Sequence, residues 1–599
     1  MADFSFKHII NGYEPKSGHG ENFFSRGITG YMNKRHNKLV RAMAVAGDKM
    51  SETMAVTSTR SYGAFFISFG LLTLMIHYAR DYLRGGGTVA PYVFILGMMF
   101  SLFSIPFLVF DKPISQAFSE FVLTDYIFFE FFCIKRIPLK PGVKGVNGIA
   151  ALCLGVALAI LTAFVPLWTV VLGIGATVYV FLTFTSPEFS YFLIFLCLPY
   201  LGLLTFGRYL LPVLVAVTLV SYGRKVLLGK RVYYFEQYDL IMIGLMGMIL
   251  IAGVFMKGMD SFTGSLILIT LSMGYVLTNS FCTNRRLADC ICNAVVISAV
   301  PVSSVGVYRF IRSLIRHGLS GAEEQSVTFA DSKTLALFLL VSAILALYLS
   351  ASHRSSGARA LYTVLLMVIC LGLVSTLEIW VGVTLIIGAV GGYAVNRMRR
   401  HPGLAVALLG LLPYALMAVP VGFMERISSL PVLSAFDLDI YALRWSNSIK
   451  IFRDFIMTGV GIGRDSFMTE YSAYDGPLFS DSGSFLLEVG VESGVLALLL
   501  LLLLLAVRVR HLNKYKRYVE GSAVRLTSVF ATVTVLCMIV FGATSYVWAD
   551  TNMYYLFWCM MGMGSAALRI SKTEYDDMID YYSDGSSADS SSVDLPLVR

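Results

Sequence analysis

The chain has 599 residues, of which 56% are hydrophobic and only 14% are charged, and its net charge is +9. Its mean hydropathy is +0.71. Because a soluble surface needs more charged groups than this, the composition excludes an ordinary soluble globular protein. The positive balance fits anionic lipid at a membrane surface, and we expect no nucleic-acid partner.

The first 60 residues are polar and basic. They lack the short apolar core and small-residue cleavage site of a secretory signal. We therefore expect 1–60 to be a basic cytoplasmic segment lying against the membrane.

Apolar runs of about 17–25 residues follow, which is the length that crosses a bilayer as a helix. Since the runs are continuous, they do not fit the alternating strands of a β-barrel. The sequence predicts an all-α fold, a polytopic transmembrane helical bundle of about 14–16 spans. The predicted spans are 63–80, 91–110, 148–165, 168–185, 190–206, 208–223, 239–255, 262–280, 288–308, 333–350, 358–375, 377–394, 403–420, 485–506, 525–546 and 552–569.

Lysine and arginine cluster in alternate connections between these spans. Cytoplasmic loops carry an excess of these residues, so the pattern places both termini in the cytoplasm and the protein in the cytoplasmic membrane. The basic segments are NKRHNKLVR, IKRIPLKPGVK, GRKVLLGKR, TNRRLAD, NRMRRHPG and VRVRHLNKYKR.

This orientation divides the chain into four parts. Residues 61–186 are N-terminal transmembrane helices, and 187–570 are a transmembrane core. One long extracytoplasmic loop, 421–484, interrupts that core. The acidic, serine-rich segment 571–599 is predicted to be a disordered cytoplasmic tail.

The loop 421–484 contains, towards its end, the stretch TGVGIGRDSF, in which Gly459, Gly461 and Gly463 alternate before Arg464. ATP is absent outside the cytoplasm, and the chain has no GxxxxGK[ST] motif, so a nucleotide site is disfavoured. The glycines make either a tight turn at the membrane surface or a site where backbone N–H groups approach a phosphate or a sugar.

Several features in this region resemble those of a known family. RWSNSIKIFRDFIMTGVGIG is followed by a membrane segment, SFLLEVGVESGVLALLLLLLLL, and LTNSFCTNRRLADCICNAVVISAVPVSSVGVYRF precedes both. Over about 190–569 the chain resembles the O-antigen ligase and O-antigen polymerase superfamily of bacterial surface-polysaccharide enzymes.

The resemblance implies a GT-C-like membrane glycosyltransferase. Its donor would be a glycan on undecaprenyl diphosphate, and it would transfer this glycan outside the cytoplasm to an acceptor, as a polymerase or a ligase. It implies no cofactor, and its partners would be the lipid-linked glycan, the bilayer and other surface-polysaccharide assembly proteins.

The chain departs from the family pattern at two places. The family's His-Asn pair before the LxxxxExG helix corresponds to Gly483 and Ser484, and Leu377 stands where the family has an arginine. A direct transfer of catalytic residues from the family is therefore not supported.

A diphosphate leaving group calls for cations. Arg464, Arg444 and Arg309 are the predicted donor diphosphate-binding residues, together with the three loop glycines. For Arg444 the alternative is a salt bridge to Asp437 or Asp439. Further arginines predicted on the same side are Arg208, Arg312, Arg316 and Arg453. The alternative for Arg309, Arg312 and Arg316 is a solvated or lipid-facing stripe on one helix face.

Transfer also needs a group that orients the acceptor hydroxyl and takes its proton. Asp481, Glu488 and Glu492 are the predicted catalytic carboxylates. Glu488 and Glu492 are four residues apart and share a helix face, although snorkelling of both to the interface is the alternative. Other candidate carboxylates are Glu378, Asp465, Glu470 and Asp475. The Asp437-x-Asp439 pair is too short a motif to predict a metal site.

Two other classes of function stay open on the sequence alone. A transporter or flippase for a lipid-linked or amphiphilic substrate would also be polytopic, but such proteins often show internal repeats that we do not find here. A non-catalytic scaffold of envelope assembly is the third interpretation, because the family histidine and arginine are missing.

Overall fold

A computed structural model gives the fold and describes most of the chain from residue 47 onward. The described ranges are 47, 49–83, 90–132, 143, 145–204, 206–227, 231, 233, 237–255, 259–283, 285–317, 326–353, 355–398, 401–419, 424, 438–474, 477–520 and 524–585.

The described residues fold into α-helices with short 3-10 and π segments. Ten of the helices are long and apolar enough to cross a bilayer, which confirms a multi-pass helical membrane protein. Four further apolar helices are shorter, Gly148–Phe164, Pro187–Leu203, Pro402–Met417 and Arg525–Phe541.

The chain forms two compact units. One lies within Asn33–Ile194 and Ala216–Arg231, and the other within Phe195–Val215 and Val232–Arg599. The helices of the first unit are α1 (Thr59–Leu83), α2 (Pro91–Val109), α3 (Ile114–Glu120), α4 (Val122–Asp125), α5 (Gly148–Phe164) and α6 (Leu167–Thr185), with a π-helix at Tyr126–Phe131. Two helices contribute residues to both units, α7 (Pro187–Cys197) and α8 (Gly207–Leu227).

The second unit contains the segments of interest for function. Its helices are α9 (Gln237–Phe255), α10 (Met259–Ser272), α11 (Gly274–Phe281), α12 (Arg285–His317), α13 (Ser332–Ser352), α14 (Ser356–Val374), α15 (Trp380–Arg397), α16 (Pro402–Leu411), α17 (Leu438–Asp454), α18 (Arg464–Tyr471), α19 (Phe485–Glu520), α20 (Arg525–Phe541) and α21 (Thr551–Gly585). Three 3-10 segments accompany them, Leu198–Leu203, Leu412–Ala418 and Val547–Ala549.

Two helices form the centre of the second unit. In α13, 78% of the most apolar window is buried, against 17% in the neighbouring α14. In α21 the run from Met553 to Ala567 is buried on every side. Since a helix that is apolar all round belongs in an interior, α13 and α21 form the core and α14 lies at its edge.

Side-chain caps set the starts of these central helices. Asp331 Oδ1 accepts the N–H of Thr334 at 2.6 Å, and Asp550 Oδ1 accepts the N–H groups of Asn552 and Met553 at 2.8 and 3.1 Å. These bonds satisfy donors that have no partner within a helix. The caps fix the start of α13 and the start of α21.

Helix α19 is broken near its start. Gly494 has φ 80° and ψ 175°, which is not a helical conformation. A break of this kind frees carbonyl groups from the helical ladder, and those groups need other donors. The donors come from residues 459–463, which we call the glycine loop.

The tail differs from the sequence prediction. Helix α21 continues to Gly585, so the first part of the segment predicted to be disordered is helical, and 586–599 lie outside the described residues. Most of the predicted cytoplasmic segment 1–60 also lies outside them. The predicted boundary between the N-terminal helices (61–186) and the core (187–570) stays a prediction, and so does the count of sixteen spans.

Candidate functional site

Three positive φ angles determine the path of the backbone through the glycine loop. Gly459, Gly461 and Gly463 have φ of 70°, 93° and 110°. Glycine adopts such angles without the steric cost that a Cβ imposes. At Gly459 there is also no room, because a Cβ would lie 2.3 Å from the carbonyl oxygen of Glu492.

The loop pairs with the break in α19. Val460 N–H donates to the carbonyl of Val491 at 2.8 Å, and Gly461 N–H donates to the carbonyl of Glu492 at 3.1 Å. In return, Val495 N–H donates to the carbonyl of Ile456 at 2.8 Å. The glycine loop therefore provides hydrogen-bond donors to carbonyl groups that the interrupted membrane helix leaves without helical partners.

The remaining N–H groups of the glycine loop are also occupied. Gly459 N–H donates to the carbonyl of Phe455 at 2.9 Å, and Ile462 N–H donates to Ser261 Oγ at 2.9 Å. Gly463 N–H donates to Glu492 Oε1 at 3.1 Å. The sequence predicted that these glycines would offer N–H groups to a diphosphate. In this arrangement those groups are satisfied by the protein, so the predicted cradle is corrected to a structural pairing.

Glu488 and Glu492 lie inside the protein. Their residues are 1% and 4% exposed, so the snorkelling alternative is wrong. Glu492 accepts the N–H of Gly463 on one oxygen and the hydroxyl of Tyr546 on the other, the latter at 2.5 Å. Each oxygen of Glu492 therefore has a donor from the protein.

Glu488 is held differently. Its Oε2 accepts the N–H of Ser482 at 2.5 Å, and the side chain of Ser482 also hydrogen-bonds to this carboxylate. It interacts electrostatically with Glu492 and Asp481. Glu488 is therefore held by the single residue Ser482, whereas Glu492 is held by the glycine loop and by Tyr546.

Arg444 and Asp481 form an ion pair. Arg444 Nη2 donates to Asp481 Oδ1, and Arg444 Nε donates to the main-chain carbonyl of Asp481 at 2.6 Å. The side chains are 17% and 14% exposed, and the guanidinium lies 5.1 Å from the ring centre of Phe479. Two residues that were predicted to act separately thus hold each other.

Two other partners were predicted for Arg444. Of these, Asp437 lies outside the described residues, and so does the side chain of Asp439.

Gly483 explains one departure from the family pattern. Its φ is 71°, and a Cβ at this position would lie 2.9 to 3.0 Å from Nε, Cδ and Cζ of Arg444. Contacts this short require one of the two groups to move. The guanidinium of Arg444 therefore occupies the space into which a larger side chain at position 483 would begin.

Lys333, which the sequence did not single out, lies next to Arg444. Its Nζ donates to the hydroxyl of Tyr441 at 2.5 Å and is 5.1 Å from the centre of that ring. It interacts electrostatically with Glu378 and Arg444. Glu378 also accepts a hydrogen bond from Ser332 Oγ at 3.2 Å, so it belongs to the same neighbourhood.

Arg464 interacts electrostatically with Asp550, and so does Asp331. The pKa of Asp550 is raised to about 6, first by burial and further by Asp331, while Arg464 lowers it. These interactions place Arg464, Asp331 and Asp550 close together. The side chain of Arg464 is exposed.

Hydrogen bonds, an ion pair and electrostatic interactions link these residues in a closed series, which we call the polar ring. Lys333 leads through Tyr441 and Arg444 to Asp481 and Glu488, then to Glu492, whose two hydrogen bonds reach the glycine loop and Tyr546. Arg464 and Asp550 return the ring to Asp331, two residues before Lys333. Its members are Asp331, Lys333, Tyr441, Arg444, Arg464, Asp481, Glu488, Glu492, Tyr546 and Asp550.

Other predicted residues are not brought to the polar ring by any described contact. Arg309, Arg312 and Arg316 are exposed along α12, which agrees with the solvated or lipid-facing alternative. Arg208, Arg453 and Asp465 are exposed as well, and Glu470 is half-buried on α18. Asp475 lies outside the described residues.

The polar ring includes five residues that sequence reasoning missed. They are Asp331, Lys333, Tyr441, Tyr546 and Asp550. Their partners in the ring come from distant parts of the chain, so no local spacing could have revealed them. Among the residues that the structure describes, no group of three His, Cys, Asp or Glu side chains is arranged to hold a metal ion.

Comparisons with known proteins add no identity. No protein-family model matches this chain. No curated protein is detectably similar to it.

Proposed function

We propose that this protein transfers a glycan from a polyprenyl diphosphate to an acceptor hydroxyl at the extracytoplasmic face of the membrane. The observation that carries the proposal is the polar ring, in which the buried carboxylate of Glu488 is hydrogen-bonded to Ser482, next to the Asp481 that is ion-paired with Arg444. Lys333, the second residue of α13, belongs to the same ring. The resemblance to the O-antigen ligase and polymerase superfamily, which rests on the motifs alone, gives the chemical class of the donor.

The predicted orientation supports this proposal. The positive-inside pattern assigns four connections to the extracytoplasmic face, before α13, between α14 and α15, along 421–484 and before α21. Each of them supplies a residue to the polar ring or its border, Asp331, Glu378, Arg444 and Asp550. Residues far apart in sequence thus meet on the face where a lipid-linked donor is used and ATP is absent.

The chemistry assigned to the site is a single displacement. The acceptor hydroxyl donates to Glu488 and passes its proton to this carboxylate as its oxygen bonds to the anomeric carbon. The bond from that carbon to the diphosphate oxygen breaks, and the electron pair leaves with the diphosphate. Cations beside the leaving group stabilise the developing charge.

Within this scheme the other carboxylates have supporting roles. Glu492 has a donor on each oxygen, and it fixes the glycine loop and Tyr546. Asp481 holds Arg444. Both therefore position groups and do not contact the acceptor.

Deletion of the gene, with analysis of surface glycan and lipid-linked intermediates, tests the proposal. Single repeat units on the lipid with loss of long chains would identify a polymerase. Full-length chains on the lipid with none on the final acceptor would identify a ligase. Unchanged glycan and lipid pools would refute the transferase.

Membrane transport is the second candidate, because a separate polar cluster lies within membrane helices. Tyr348 donates to Asp289 and contacts Thr527 at 2.8 Å, and all three lie on helices of the second unit. Buried ionisable groups in spans often mark substrate or ion pathways. A transporter would leave a glycan-linked lipid stalled on the cytoplasmic face after deletion, and a transferase would leave it on the outer face.

A further inference from the structure

We propose that Lys333 and Arg444 together form the binding site for the donor diphosphate, with Tyr441 as the residue that positions Lys333. The inference deepens the proposed function and depends on it for the identity of the lipid. Lys333 replaces Arg309 in the predicted set of phosphate-binding residues.

The first argument is the way these two cations are held. Lys333 Nζ is fixed by the Tyr441 hydroxyl at 2.5 Å. Arg444 follows Tyr441 by three residues on α17, so the two side chains lie on one helix face. Arg444 also acts electrostatically on Lys333, less strongly than Glu378 does. Asp481 pairs with Arg444 and Glu378 attracts Lys333, and a diphosphate placed between the two cations would interact with both.

The position of Lys333 on its helix gives the second argument. It is the second residue of α13, a helix of 21 residues. The positive end of the helix dipole disfavours a cation there and favours an anion. First-turn N–H groups and a lysine side chain together make a common phosphate-binding arrangement. A lysine at this place therefore suits ligand binding better than it suits helix stability.

The third argument concerns buried donors beside Arg444. Trp445 is 2% exposed and Ser484 is fully buried, and among the described residues neither Trp445 Nε1 nor Ser484 Oγ has a hydrogen-bond partner. Trp445 follows Arg444, and Ser484 follows the Gly483 that contacts it. Buried donors without partners are costly, and a bound ligand oxygen would offset that cost.

The other candidate cations fit less well. Arg309 is exposed on α12 and has no described contact with the polar ring. Arg464 interacts with Asp550, whose carboxylate would oppose a diphosphate there. Two carboxylates lie beside the proposed pair of cations. Asp481 forms an ion pair with Arg444, and Glu378 accepts a hydrogen bond from Ser332, the residue before Lys333.

An apolar surface for the prenyl chain lies beside this pair. Leu377 and Ile379 flank Glu378 and are 43% and 44% exposed. Leu377 has φ 56°, an angle that a branched side chain rarely adopts, so the surrounding structure must hold it there. A lipid whose phosphates meet Lys333 has apolar contacts available next to that site.

The test is binding of undecaprenyl diphosphate to the purified full-length protein in lipid nanodiscs, with undecaprenyl monophosphate as the comparison. Lys333→Met is expected to weaken diphosphate binding about tenfold, the loss typical of one charged hydrogen bond, and to weaken monophosphate binding less. Lys333→Arg is expected to keep affinity within about threefold, because the charge remains.

Lys450→Met is the matched control. Lys450 also lies on α17, is exposed, and donates to Asn447 at 3.2 Å away from the polar ring. This variant is expected to bind as the wild type does. Tyr441→Phe keeps the ring and removes the hydroxyl that fixes Lys333, so it should weaken diphosphate binding by about threefold, and it tests the site even if Lys333→Met does not fold.

The outcomes separate the two proposals. If the wild type prefers the diphosphate and both Lys333→Met and Tyr441→Phe bind it equally well, the Lys333 site is refuted while the transferase stands. If the wild type binds neither lipid, the donor assignment of the proposed function fails, and this inference fails with it.

Discussion

At the scale of single residues, the polar ring separates groups that bind a ligand from groups that hold other groups. Sequence spacing predicted that Glu488 and Glu492 share a helix face and left open whether that face is buried. It could not predict that Glu492 accepts hydrogen bonds from Gly463 and Tyr546 while Glu488 is held by Ser482 alone. That difference depends on partners from 29 and 54 residues away along the chain.

Substitution of each glutamate by glutamine should therefore give unequal results. Glu488→Gln removes the proton acceptor and is expected to lower the transfer rate by about 10²–10⁴-fold, with little change in thermal stability because the amide oxygen still accepts from Ser482. In Glu492→Gln the amide oxygen accepts from Gly463 and its NH2 donates to the Tyr546 hydroxyl, so the rate should stay within about fivefold. Transfer of a lipid-linked glycan by the purified variants measures both. The opposite order would contradict the assignment of roles.

Gly483 offers a test of the space that Arg444 occupies. Gly483→Ala should displace the guanidinium and impair transfer, because the new Cβ would lie 2.9 to 3.0 Å from it. In an Arg444→Ala background the same change should have a smaller effect, since the collision is gone and only the strain of φ 71° remains. Double-mutant analysis of the transfer rate measures this coupling. Additive effects would show that position 483 acts independently of Arg444.

At the scale of elements, the glycine loop and the broken start of α19 form one unit. The alternating glycines are easily seen in the sequence. Their structural role is not, because the carbonyl groups that accept hydrogen bonds from this loop belong to a helix about 30 residues later. The loop with positive φ angles and the interrupted helix satisfy each other's backbone hydrogen-bonding groups. The break also turns Glu492 toward the loop, so the local backbone conformation supports the site.

Two alanine substitutions distinguish strain from collision in this loop. Gly463→Ala meets no atom within 4 Å, and its cost is the positive φ alone, about 1–3 kcal/mol. Gly459→Ala adds a collision with the carbonyl of Glu492 at 2.3 Å and should destabilise the protein considerably more. Thermal unfolding in nanodiscs measures the difference, and equal losses would refute the pairing of loop and helix.

The cap of α21 gives a dependence on pH. Burial raises the pKa of Asp550 from 3.8 to about 6, so between these values the folded protein binds a proton that the unfolded chain releases. This contribution to stability is present below about pH 4 and is lost as the pH rises through about 6. Asp550→Asn keeps the cap and should remove this part of the pH dependence of the melting temperature. An unchanged profile would contradict the shift.

At the scale of the whole molecule, the helices were predictable and the site was only partly so. Among the described residues, ten predicted spans correspond to helices long and apolar enough to cross a bilayer and four to shorter apolar helices, because a bilayer demands long apolar runs that are visible in one dimension. The predicted spans 377–394 and 552–569 correspond to the helices α15 and α21, which are less apolar. The polar ring assembles from connections more than 200 residues apart, with Asp331 at one end and Asp550 at the other. Only the orientation rule linked them beforehand, by predicting one face for all of them.

That orientation is the premise on which the function depends, and two cysteine substitutions test it. Asp465 is exposed on α18 and Arg359 is exposed at the start of α14. In a background without the native cysteines, Asp465→Cys should react with a membrane-impermeant maleimide in intact cells, and Arg359→Cys should react only after permeabilisation. The reverse labelling would place the polar ring in the cytoplasm, where nucleotide-linked donors are available. The extracytoplasmic transferase would then have to be abandoned even if every contact in the ring were correct.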